Sequence, residues 1–213
     1  MDVVLSLLAR VSYWALTLYL WMIIAAVLLS WVAPDPRNPI VRFLNAMTAP
    51  LWNGLARKLA GRWRLFASYA ALLFVMFLIE FVPGVFSTFS FLAGGRIEAG
   101  GLAAPLGGFF LRGVAVVLYN LCYFLALLLV IWFVLTLVSP SVNNPVVRVV
   151  YFLVDPIITP LQRILPRMRL DLSPLIAAAA FLLFNVFVVG ELLTYSYVLT
   201  AITVDSGVPL RKL

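Results

Sequence analysis

The sequence predicts an all-α membrane protein with about four transmembrane helices in two parallel repeats, each carrying a Pro-punctuated amphipathic, interfacial helical hairpin between its two spans. Three observations predict it. Apolar residues come in blocks long enough to cross a bilayer, positive charge gathers in alternate connections, and the chain resembles itself at an offset of 106 residues.

Hydrophobic residues make up 65% of the chain and charged residues 11%, with a mean hydropathy of +1.12. Soluble domains hold roughly 45–50% apolar and 25% charged residues. A bilayer accepts such long apolar blocks, whereas a soluble core shows short alternating runs.

A spanning helix needs about 20 apolar residues. The blocks run from about Val11 to Val32, Leu65 to Val82, Leu111 to Val138 and Pro174 to Thr200. The second is the shortest, and Val85 to Leu92 would extend it beyond a kink at Pro83-Gly84. The first is expected to be a retained helix, because no small-residue cleavage site precedes Trp31-Val32-Ala33-Pro34.

The formal charge of +7 has a topological reading. Arg37, Arg42, Arg57, Lys58, Arg62 and Arg64 lie between the first two spans; Arg148, Arg163, Arg167 and Arg169 lie between the last two. Four spans put both connections on one side, so ten positive residues face five. The positive-inside bias assigns the connections to the cytoplasm and both termini to the outside. Anionic lipid headgroups are the expected partners of this charge, and direct nucleic-acid binding is not expected. The segment Gly94 to Gly101 reads as a flexible linker, without the Lys-Ser/Thr of a phosphate loop.

At the offset of 106, Asn38-Pro39-Ile40-Val41-Arg42 aligns with Asn144-Pro145-Val146-Val147-Arg148, Pro50-Leu51 with Pro156-Ile157, and Arg57 with Arg163. The repeats divide the chain into residues 1–100 and 101–213. Two spans per copy restore the orientation, so the copies are parallel, unlike the inverted repeats of many transporters. Asn144 before Pro145, Asp155 before Pro156 and Ser173 before Pro174 each read as a capping side chain ahead of proline at a helix start. Asn38 before Pro39 repeats the first. Pro145 to Val154 would be about 15 Å long as a helix, too short to cross. It is therefore expected to lie in the headgroup boundary or to dip in as half of a hairpin completed by Pro156 to Leu165. Arg148 and Arg163 would snorkel to phosphates.

These residues resemble the YggT/YlmG family, whose repeat has an N-P-apolar-apolar-R stretch, a T-(D/E)-P step, an R-x-apolar-x-P exit and a D-apolar-S-P start to the next span. The second copy matches with Asn144 to Arg148, Asp155-Pro156, Arg163-Ile164-Leu165-Pro166 and Asp171-Leu172-Ser173-Pro174, though Val154 replaces the Thr. The first copy keeps Asn38-Pro39, Arg42 and Thr48-Ala49-Pro50, but has Ala49 in place of the acid and lacks the Leu-Pro exit and the D-L-S-P start. The resemblance implies a small bacterial inner-membrane or plastid-membrane protein, linked in the family to cell division and nucleoid distribution, cytochrome assembly and osmotic tolerance. It transfers no chemistry.

Candidate partner- or lipid-binding residues are Arg42, Arg57, Arg148, Asp155, Arg163 and Asp171. A sharp reading gathers Asp155, Asp171, Arg148 and Arg163 into one polar cluster; a plain one makes the acids helix caps with local ion pairs. Glu80 and Glu191 fall inside apolar runs, which suggests an ion path, or structural acids near the outer interface. The small residues Ala67 to Ala71 and Ala177 to Ala180 suit close helix packing, within the chain or in a homo-oligomer.

Histidine is absent and Cys122 is the sole cysteine. That inventory removes Ser-His catalysis and zinc-histidine sites, so neither an enzyme nor a cofactor is expected. The expected function is a non-catalytic membrane scaffold or assembly factor that presents a basic interfacial platform to lipids and partner proteins. A small channel or transporter for ions or osmolytes is the alternative.

Overall fold

The computed structural model describes residues 1–32, 35, 37–58, 67–138, 144–164 and 171–201, and every regular element among them is helical. Helix α1 covers Asp2–Val32, α2 Pro39–Lys58, α3 Ala67–Ala93, α4 Ala103–Val138, α5 Pro145–Ile164, α6 Ser173–Phe184 and α7 Gly190–Ala201. A five-residue π turn, Asn185–Val189, joins α6 to α7. Four helical stretches are long and apolar enough to cross a membrane: Asp2–Ser30, Ala67–Ala93, Ala99–Val138 and Ser173–Ala201. The order span, connecting helix, span occurs twice.

Each span is longer than its apolar block. Helix α1 starts at Asp2 because nothing between there and Val32 is glycine or proline, and the Ser12 and Thr17 hydroxyls donate back to the carbonyls of Ala9 and Tyr13. Helix α3 continues through Pro83 to Ala93. Proline removes one ladder donor there, and unwinding beyond it would expose further backbone groups, which hydrocarbon penalises. Glu80 therefore stands midway along α3, about 20 Å from either end at the helical rise. That corrects the expectation of an interfacial position.

The exit from α3 is an ordered turn. Gly95 adopts φ of +68°, with Arg96 N–H donating to Phe91 O at 2.9 Å and Gly95 N–H to Leu92 O at 3.0 Å. These two bonds define a Schellman cap, which requires the left-handed residue that glycine supplies. The glycine-rich linker is thus structured at its start.

Packing divides the chain into two compact units that cut across the repeat halves: residues 1–27, 35–117 and 191–213 in one, 28–34 and 118–190 in the other. In the first, glycines permit close helix approach. A Cβ on Gly113 would lie 2.8 Å from the Phe77 ring and 3.1 Å from its carbonyl oxygen, so α3 and α4 meet almost backbone to backbone. In the second, Val150, Val154 and Ile158 of α5 are buried with Ala126 and Leu129 of α4 and Ala177 and Ala178 of α6. Ala67 and Ala71 are also buried, as the packing reading of the small residues expects, whereas Ala179 and Ala180 are exposed.

The connecting helices α2 and α5 are 20 residues each, and both ends of one lie 106 residues from the ends of the other. Each is continuous. Pro50 lies inside α2, and Pro156 and Pro160 lie inside α5, so the two short helices of a hairpin are replaced by one helix. Pro156 and Pro160 fall four residues apart on the exposed side, while the buried valines hold the opposite side against two neighbouring helices. That packing outweighs the two ladder bonds the prolines remove.

Candidate functional site

The polar residues of α5 fall on one face. Arg148, Asp155, Thr159, Gln162 and Arg163 are spaced seven, four, three and one apart, which keeps them within one helical stripe. Val147, Val150, Val154 and Ile158 occupy the buried side. Arg148 and Arg163 are exposed; Asp155 is half-buried.

Thr159 Oγ1 donates to Asp155 Oδ1 at 3.0 Å, one turn along the stripe. Asp155 therefore does not cap a helix start; it lies in the interior of α5. Gln162 Nε2 donates to Asp171 Oδ2, while the Ser173 backbone N–H donates to Asp171 Oδ1 at 3.0 Å. Leu172 is the N-cap of the fourth span, Asp171 just ahead of it accepts the N–H of the first helical residue, and Ser173 and Pro174 form the buried first residues of the helix. Partial burial works against the Asp171 charge, but hydrogen bonds from Ser173 and Gln162 outweigh it and hold the carboxyl below its ordinary value. The end of α5 is thereby tied to the start of α6.

The four-residue cluster of Asp155, Asp171, Arg148 and Arg163 does not form as ion pairs. Among the described residues, the ion pairs are the N-terminus with Asp2 and Arg112 with Glu80. Each acid of the connection is instead satisfied by neutral hydrogen bonds, and the two arginines are left facing outward. Pro166 lies outside the described residues.

The first copy shows what has been lost. Asn38 Oδ1 accepts the Ile40 N–H at 2.9 Å, so Asn38 caps α2 ahead of Pro39 as its sequence suggests. In the second copy the Asn144 carbonyl accepts the Arg148 N–H, which opens α5 at Pro145. Arg42 and Arg57 are exposed, and Arg57 Nε donates to Asn53 O at 3.2 Å. Ala49, Asn53 and Ala56 stand where α5 has Asp155, Thr159 and Gln162. The stripe on α2 keeps its basic ends and lacks its acid.

Sequence reasoning missed three features. Arg112 lies inside α4 with Nε 2.9 Å from Glu80 Oε2, without the alignment of a hydrogen bond. Its guanidinium also sits 4.8 Å from the centre of the Tyr197 ring. The need of a mid-span carboxylate for a countercharge was the signal. Asn185 is buried at the start of the π turn, with Nδ2 donating to Tyr119 O at 3.2 Å and Oδ1 unpartnered; a lone Asn in an apolar run marked it. Gln162 gave no motif signal. Glu191 is exposed in the first turn of α7, and no hydrogen bond or ion pair joins it to Glu80.

No group of His, Cys, Asp or Glu among the described residues could hold a metal ion. What the α5 stripe can do is bind anions through two outward guanidiniums and dock hydrogen-bonding groups alongside them. A model of the CCB3/YggT family matches residues 5–89 and 111–192. No curated protein and no solved structure matches the chain.

Proposed function

The chain belongs to the CCB3/YggT family, and on that premise we propose that it is a non-catalytic membrane scaffold or assembly factor whose α5 stripe presents paired arginines to anionic headgroups and a partner membrane protein. One observation carries the reading. Two helices of equal length occupy equivalent places in the repeats, and only α5 has Asp155, Gln162 and the Asp171 link to the following span. Packing alone needs only the buried face, which both helices have. A polar face kept on one copy and absent from the other suits recognition.

In this reading α2 and α5 face the cytoplasm of a bacterial inner membrane, as the charge bias favours. The pairing of Glu80 with Arg112 favours a scaffold over an ion path through Glu80 and Glu191, since a neutralised carboxylate attracts cations weakly.

The test is a photo-crosslinking residue at position 148, compared with position 42, in native membranes. A discrete adduct at 148, lost on Asp155→Ala and Arg163→Gln, is expected. The opposite outcome is ion or osmolyte flux through the purified protein in liposomes, above empty vesicles and abolished by Glu80→Gln or Glu191→Gln. That would replace the scaffold with a channel.

A further inference from the structure

A groove of about 540 Å³ opens on the unit formed by residues 28–34 and 118–190. Its walls are α4, α5 and α6, represented by Leu121 and Cys122, Pro160 and Leu161, and Ala180 and Phe184. The lining is apolar throughout, and the volume falls in the roughly 300–1,000 Å³ range of small-ligand sites.

The position of the groove selects its occupant. Two walls belong to stretches long and apolar enough to cross a membrane, which suits a ligand that arrives from the lipid rather than from water. Along α6 the lining runs from Ile176 to Phe184, about 12 Å at the helical rise. The Ile176 end adjoins the polar layer where Gln162 meets Asp171, and the Phe184 end lies deep in the span. One end is therefore at headgroup level and the other at acyl-chain depth.

Charge completes the match. Arg163 stands three positions, about one turn, beyond the lining residue Pro160 on the same helix, is exposed, and has no ion pair among the described residues. Among the described residues the carboxylate at that end is Asp171, and it is engaged by Gln162 and Ser173. We propose that the groove is a binding site for a single anionic phospholipid, with one acyl chain between α4, α5 and α6 and its phosphate on Arg163. This deepens the proposed function by assigning one arginine a bound lipid. It leaves the partner-facing role of Arg148 to stand or fall by crosslinking.

The full chain would be purified in detergent, supplied with phosphatidylglycerol or phosphatidylcholine, delipidated, and weighed by native mass spectrometry. One retained phosphatidylglycerol per chain is expected. Ala180→Phe, which fills the groove from an exposed position, should abolish retention. Arg163→Gln should lower the preference for phosphatidylglycerol over phosphatidylcholine by about tenfold, the scale of one charge-assisted hydrogen bond. A second measurement needs no variant: maleimide modification of Cys122 in the native protein should slow as phosphatidylglycerol is added and not as phosphatidylcholine is added. No retained lipid, equal retention of both lipids, or a Cys122 rate indifferent to phosphatidylglycerol would each overturn the site.

Discussion

Glu80, midway along α3, and Arg112, in the first third of α4, form an ion pair at 2.9 Å, with their side chains about one fifth exposed. The Tyr197 ring lies against the same guanidinium. Breaking a buried pair from one side leaves an uncompensated charge and costs about 3–5 kcal/mol, whereas removing both partners is often neutral. The residual exposure places this pair at the low end of that range. Glu80→Leu and Arg112→Leu alone should each lower the thermal stability of the detergent-solubilised protein sharply, and the double variant should regain most of the loss. Losses that simply add would show that the two residues act independently.

Asp171 makes stability depend on acid. Its folded carboxyl titrates below the ordinary value of 3.8 because of the hydrogen bonds from Ser173 and Gln162. A depressed carboxyl contributes stability that is fully present above its unfolded value and is lost as the pH falls through its folded one. The stability difference between wild type and Asp171→Asn should therefore be flat from pH 7 down to about 5 and shrink below about 4. At neutral pH Asp171→Ala should cost about 1 kcal/mol, as loss of the hydrogen bonds from Ser173 and Gln162 does, while Asn, which keeps an accepting oxygen, costs less. Thermal unfolding across that pH range checks both.

Gly113 and Gly107, one and a half turns or so apart on α4, should respond oppositely to alanine. At Gly107 a Cβ meets nothing within 4 Å, and at Gly113 it meets the Phe77 ring and backbone. Gly107→Ala should stabilise by roughly 0.5–1 kcal/mol, the ordinary gain from glycine to alanine within a helix. Gly113→Ala should lose more than that gain, because the Phe77 carbonyl cannot move aside without shifting α3. Melting temperatures of the two variants side by side decide the matter.

These residues also show how far the sequence could be read. Long apolar blocks and the 106-residue register revealed the four spans and the paired connections, because both signals are local and periodic. Three things escaped. Pro156 looked like a helix start, and whether proline ends a helix depends on packing that lies far away in the chain, such as Val154 against α4 and α6. The pairing of Arg112 was not legible because its partner, Glu80, is 32 residues earlier. Asp155 looked like a cap because the motif Asp-Pro usually opens a helix, and only the continuity of α5 shows that Thr159 is its partner.

The continuity of α5 can be measured directly. Tyr151 and Arg163 are both exposed, on either side of Pro156 and Pro160, and Cys122 is the sole native cysteine to remove. In one continuous helix, spin labels on Tyr151→Cys and Arg163→Cys in a Cys122→Ser background are separated by about 18 Å of rise. A hairpin turning at Pro156 would bring the same positions to about the 8–10 Å of two packed helices. Electron spin resonance in vesicles should return the longer distance, unchanged when Pro156 is replaced by alanine, because the buried valines and not the prolines set the path of the helix. A short distance that lengthens on Pro156→Ala would restore the hairpin, and with it would separate Arg148 from the stripe on which Asp155 and Arg163 stand.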